Sequence, residues 1–174
     1  MKKIRTLILT SILLAAAAFL PTRVYAEEAK STLSKEQTGA ISQSCDSIKQ
    51  SLRKLQKTDT KTRSILGGLY EDIISDFIIP LNLRLVRNAL PSTTLTELHS
   101  SLLSKRQDFA KKFTLYEQSF EALLDTDCQN NPAAFYAKLV ETRKTRNDLE
   151  QSTEAFRMLL EKHQNAVQAL KGTL

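Results

Sequence analysis

From Phe135 to Leu170 the chain sets a residue on one row at strictly alternating steps of four and three: Phe135, Leu139, Thr142, Arg146, Leu149, Thr153, Phe156, Leu160, His163, Val167 and Leu170. A strand turns alternate residues to one face, so it cannot keep such a row together. A helix packed against partner helices can. Asn131-Pro132 supplies an N-cap followed by proline at the first helical position, and Gly172 closes the run. The spacing predicts a helix over 132–171, and a helix this long needs companions of similar length to bury its seam.

Two further segments supply them. Ser34-Lys35-Glu36-Gln37 has the S-x-x-Q form of a capping box. Beyond it Ile41, Cys45, Ile48, Leu52 and Leu55 repeat the 4-3 spacing, which continues in phase through Asp59, Thr62, Leu66, Leu69, Ile73 and Asp76. Thr58 to Thr62 is weak in helix propensity, yet a loop there would reset the phase. The reading is therefore one helix over 35–88 with a polar waist, loosened at Gly67-Gly68 and kinked just before Pro80. Pro91, Ser92 and Thr93 mark a turn, and Thr94 to Glu97 reads as a second capping box. Leu95, Leu98, Leu102, Phe109, Phe113, Tyr116, Phe120 and Leu123 then form the apolar stripe of a helix over 95–125. Glycine and proline are scarce, and no alternating β-branched run with turn residues suggests a strand.

The start of the chain has a different character. Lys2, Lys3 and Arg5 precede an almost wholly apolar run from Thr6 to Leu20, then Pro21 and Val24-Tyr25-Ala26. This is the layout of a secretory signal peptide over residues 1–26, cleaved before Glu27. The alternative is an uncleaved anchor, for which the run is short of the roughly 20 apolar residues a span needs. Residues 27–33 read as a flexible start and 34–174 as the helical domain. The formal charge of +6 includes four basic residues of the leader: Lys2, Lys3, Arg5 and Arg23. Their removal leaves 21 basic against 19 acidic residues, interspersed, which argues against nucleic acid as a partner. No second long apolar run follows, so no membrane span is expected after cleavage.

Export also bears on Cys45 and Cys128, the two cysteines of the chain. An even count in an oxidising compartment favours a disulfide, the alternative being two buried thiols. The unequal helix lengths favour the disulfide too. The turn between the second and third helices must descend past the end of the second, which carries Cys128 toward Cys45. The expected fold is an elongated, all-α, up-down-up three-helix bundle, an antiparallel coiled coil clipped at one end by Cys45–Cys128.

In that register Arg146 lies level with Asp59, and His163 with Asp76. Two polar layers are expected, serving to fix helix register, with Asp76–His163 as a candidate pH-sensitive pair. His99 and His163 are expected at one end of the bundle. The residues of the basic group Lys138, Arg143, Lys144 and Arg146 read as a solvated face. No nucleophile elbow, zinc helix, phosphate loop or dinucleotide loop is present. No catalytic, cofactor-binding or metal residue is assigned, and neither a cofactor nor a small-molecule substrate is inferred.

Leu33-Ser34-Lys35-Glu36-Gln37 resembles the L-[ST]-x-x-Q element of Spy-like periplasmic chaperones, which are exported, basic and all-helical. More broadly, Cys45-x-x-Ile48, Leu66-Gly67-x-x-Tyr70, Asp127-Cys128 before Pro132, Phe135-Tyr136 and Arg143-x-x-Arg146 resemble small exported helical proteins of reduced-genome bacteria. That second resemblance supports the disulfide and implies no activity. The expected role is a non-enzymatic interaction or structural protein of the cell envelope, periplasmic, cell-surface or extracellular, with a protein partner or self-association. The alternative is a chaperone-like binder of unfolded clients.

Overall fold

The computed structural model describes residues 33–172. The leader read over 1–26 lies outside the described residues, as does the flexible start apart from Leu33. The described chain is built from α1 (Lys35–Gln43), α2 (Cys45–Asp72), a π-helical segment (Ile73–Ile78), α3 (Ile79–Arg87), α4 (Thr93–Asp125) and α5 (Pro132–Lys171). No strand occurs among the described residues. The elements from α1 to α3 follow one another almost without a break and form the first arm of an up-down-up bundle. The second and third arms are α4 and α5.

Helix α1 starts as its sequence dictates. Ser34 Oγ accepts from the Gln37 amide at 3.1 Å, and Gln37 Oε1 accepts from the Ser34 amide at 2.9 Å, which closes the capping box. A single residue, Ser44, separates α1 from α2. Serine is a poor helix former, but nothing in the spacing marks this position. Beyond it α2 runs unbroken through Asp59, so the polar waist is helical.

The end of the first arm departs from the strict heptad row. The residues turned inward are Leu66, Tyr70, Ile74, Ile78, Asn82 and Leu85, whereas Leu69 is 49 % exposed and Asp76 is exposed. An α-helix turns once in 3.6 residues, so a straight one drifts off a 3.5-residue row. Here a turn of π-helix adds to the drift. The Ile79 amide bonds to the Ile74 carbonyl, five residues back. Pro80 has no amide proton to give to residue 76, and its ring crowds that carbonyl. Widening the preceding turn satisfies both constraints, so the disturbance expected before Pro80 takes the form of a π segment.

The first arm ends in a Schellman motif. The Leu90 amide bonds to the Leu85 carbonyl at 3.0 Å and the Ala89 amide to the Val86 carbonyl at 3.1 Å. Ala89 takes the left-handed conformation this requires, with φ of 52°. Helix α4 begins at Thr93 with Ser92 as its N-cap residue, and no side-chain capping bond is made there. The second capping box read at Thr94–Glu97 is therefore not the helix start. At the other end, Asp127 Oδ1 accepts from the Gln129 and Asn130 amides at 2.9 and 3.0 Å, tightening the turn into α5. Asn131 Oδ1 caps α5 at the Ala134 amide, 3.2 Å away.

Cys45 and Cys128 form the expected disulfide, with a Cα separation of 5.5 Å. It joins the start of α2 to the α4–α5 turn, beside Leu123 and Phe135. The main core lies further along the bundle, where Tyr70 stacks on Phe156 of α5 at 3.8 Å and meets Phe109 of α4 edge-on at 5.1 Å. The Phe109 ring also lies against Gly67, where an added Cβ would come to 3.4 Å. Nothing approaches Gly68 in this way.

Candidate functional site

Three polar layers cross the bundle. In the first, Asp59 of α2 accepts at one oxygen, Oδ2, from Tyr116 Oη of α4 at 2.8 Å and from Arg146 Nε of α5 at 2.9 Å. All three arms thus meet on one carboxylate, as the register analysis places Asp59 and Arg146. Burial and the hydrogen bond to Asp59 push the Tyr116 hydroxyl up from its ordinary pKa. The bond to Asp59 raises Arg146 as well. The Asp59 side chain is 13 % exposed and that of Arg146 45 %, so the acceptor is sheltered while the guanidinium reaches water.

The second layer lies between α4 and α5. Thr142 Oγ1 donates within 3.0 Å of the Ser119 carbonyl, and the Ser119 and Thr145 hydroxyls share a 2.7 Å bond. In the third, Asp108 accepts from Ser152 at 2.8 Å and Lys112 at 2.9 Å. Burial works to raise the Asp108 carboxyl, but the bonds from Lys112 and Ser152 outweigh it and hold it below the ordinary range. Thr142 is a seam residue by spacing. Ser119 and Ser152 carry no such signal, since small hydroxyls read as surface residues until a partner is known.

The second expected pair, Asp76–His163, does not form. The π segment turns Asp76 outward, where its carboxylate accepts from Ser75 at 2.8 Å. His163 is buried instead beside His99, and its Nε2 and that of His99 have no hydrogen-bond partner. Burial lowers the His163 pKa, and the neighbouring charge of His99 lowers it further. Asn82 of α3 is buried with neither amide atom bonded. No group of three or more His, Cys, Asp or Glu suited to a metal ion occurs among the described residues.

The two ends of the bundle are therefore unlike. One is closed by the disulfide. The other gathers the unbonded polar atoms of Asn82, His99 and His163 together with large apolar side chains on its outside. Phe77 is 69 % exposed, Val86 64 %, Leu83 51 % and Ile79 37 %. Ile79, Leu83 and Val86 follow one another at steps of four and three, so they share a face of α3. At the same end a groove of about 330 Å³ opens between the start of α4 and the last turns of α5, lined by Pro91, Leu95, Ala166, Ala169 and Leu170 among others. The heptad row hid this surface, because it assigned Leu69 and Asp76 inward and left Leu83 and Val86 without a role.

Of the basic residues on α5, Lys138 pairs with Glu141 at 2.8 Å and Arg146 with Asp59. Arg143 borders a shallow groove with Leu52, Leu55 and Leu139 between α2 and α5. Of these, Arg146 alone bonds across the bundle, while the Lys138 pair is an exposed one within α5. The fold and these features define an all-α, disulfide-clipped three-arm bundle with apolar side chains exposed at the end away from the disulfide. No protein-family model, curated protein or solved structure matches the chain.

Proposed function

We propose that this chain is an exported, non-enzymatic docking protein of the cell envelope, and that the α3 end of the bundle is its working surface. The observation that carries this reading is the contrast between the ends. One is fixed covalently, whereas the other exposes Phe77, Ile79, Leu83 and Val86. Apolar side chains of this size clustered outside a core mark a contact surface more often than scattered ones do. Export is supported by the leader spacing and by the Cys45–Cys128 bond, since such bonds persist in oxidising compartments. No helix among the described residues is long and apolar enough to cross a membrane.

Two measurements test the reading. Fractionation with mass analysis should find the chain outside the cytoplasm, beginning at Glu27. A photocrosslinker at Leu83, introduced in the native envelope, should give a discrete adduct, while one at the equally exposed Val140 on α5 should not. A cytoplasmic chain, or identical crosslinking at both positions, refutes it. The same exposed apolar residues support a second reading, the holding of unfolded exported clients. That reading requires the purified protein to suppress aggregation of a reduced client, and to lose this ability in Leu83→Asn/Val86→Asn.

A further inference from the structure

We propose that the α3 end docks on an anionic phospholipid surface, a reading that rests on that end being the working one and names what it meets. The apolar residues supply insertion. Phe77 stands apart in the π segment, on another flank of the arm, whereas Ile79, Leu83 and Val86 share one face of α3 beside the α3–α4 turn, a short amphipathic element. Such an element seats its apolar face at the headgroup boundary when basic residues flank it.

The charges decide which partner fits. From Phe77 to Thr96 the chain carries Arg84 and Arg87 and no carboxylate. On α5, the stretch from Lys162 to Gly172 carries Lys162 and Lys171 and again no carboxylate. Asp76 and Glu161 flank these stretches toward the middle of the bundle, Glu161 paired with Arg157, and Glu97 of α4 faces Lys162, so the outermost turns carry Arg84, Arg87 and Lys171 without a carboxylate among them. Each apolar row also runs into an arginine: Leu83 is four residues before Arg87, and Phe77 seven before Arg84.

A second copy seated tip to tip would bring Arg84 and Arg87 of each copy toward like charges; one seated antiparallel along α3 would not, and the oligomeric state in solution distinguishes it. An anionic bilayer presents the opposite sign across the whole tip and accepts apolar side chains between its headgroups.

The test is flotation of the exported chain with vesicles of phosphatidylcholine, with and without phosphatidylglycerol. Wild type and variants share the same N-terminus from Glu27, so any contribution of residues 27–32 cancels. Binding is expected only with phosphatidylglycerol and should weaken with added salt. Arg84→Gln/Arg87→Gln should bind roughly 30-fold more weakly, at about 1 kcal/mol per arginine near an anionic surface. Leu83→Asn/Val86→Asn should lose binding, and Val140→Asn should keep it. All these side chains are exposed, and unchanged circular dichroism will show that the variants fold. Equal binding to both vesicle types, or binding by Arg84→Gln/Arg87→Gln or Leu83→Asn/Val86→Asn that matches wild type, overturns the proposal. So does a dimer in solution that Leu83→Asn/Val86→Asn dissolves, in the absence of flotation. A protein adduct at Leu83 with no flotation overturns the lipid partner and leaves the docking end standing.

Discussion

Asp59 hydrogen-bonds to both of the other arms, and its two bonds differ in what they contribute. Tyr116 is fully buried. If its hydroxyl loses Asp59 it has no water to turn to, and an orphaned buried donor costs about 1–3 kcal/mol. Arg146 is nearly half exposed, so it can rehydrate, and its pairing is worth at most about 1 kcal/mol. Asp59→Ala should therefore destabilise the protein by roughly 2–3 kcal/mol. Asp59→Asn keeps an acceptor for Tyr116 and gives up only the charge, so its cost should stay near 1 kcal/mol or below, about that of Arg146→Gln. Urea unfolding followed by circular dichroism measures all three, and a double-mutant cycle of Asp59→Ala with Tyr116→Phe isolates the buried bond. A coupling energy near zero in that cycle, or an Arg146→Gln loss equal to that of Asp59→Ala, would refute the assignment of the stability to the sheltered bond.

Three other outcomes follow from the structure. Ala89 holds a left-handed conformation that costs an L-residue about 1–2 kcal/mol, so Ala89→Gly should gain close to 1 kcal/mol after the added freedom of the unfolded chain, seen as a rise in melting temperature of about 3 °C. His163 is held below its ordinary value of 6.5, so the unfolded chain binds more protons just beneath that pH. Stability should be full above about pH 6.5 and fall as the pH drops toward the folded value; a His163→Gln variant with the same slope in pH-dependent melting would exclude this cause. Reduction of Cys45–Cys128 opens a covalent loop spanning a sequence separation of 83, which chain entropy values at about 4.5 kcal/mol; melting with and without reductant should differ accordingly, and an unchanged transition would contradict the estimate.

What could be read from the sequence depended on how far each segment obeys a single period. Helix α5 keeps its 4-3 row from Phe135 to His163, so its buried face, its caps and the position of Arg146 were all legible. In α4 the aromatic stripe served equally well, but the helix start was misplaced: Thr94–Glu97 has the letters of a capping box, whereas the chain enters the helix two residues earlier through the geometry of the preceding turn. The first arm shows what a period cannot report. Its row is correct to Leu52, but Tyr70, Ile74 and Ile78 replace Leu69, Ile73 and Asp76 as the innermost residues of their turns. Apolar residues stand at both sets of positions, so composition could not choose between them. The choice begins as helical drift, since Tyr70 already replaces Leu69 ahead of the π turn, and that turn, a response to Pro80, carries the drift on to Ile78. The Asp59 layer lies before that turn and was found. The Asp76–His163 layer lies beyond the point where the phase has slipped and was not. Ala89 is silent because alanine advertises no left-handed preference.

The position of Cys128 sets an order on assembly. The bond encloses α2, the π segment, α3 and α4 in a ring and leaves α5 outside it. In a chain delivered N-terminus first, both sulfurs are available before any of α5 follows. The ring can close on an antiparallel hairpin of two arms, and the last helix then docks along a template already formed. The same topology makes α5 the one arm that can peel away without a covalent bond breaking. Protease cuts inside the loop leave the pieces tethered, whereas a cut in the stretch from Gln129 to Asn131 frees α5 entirely.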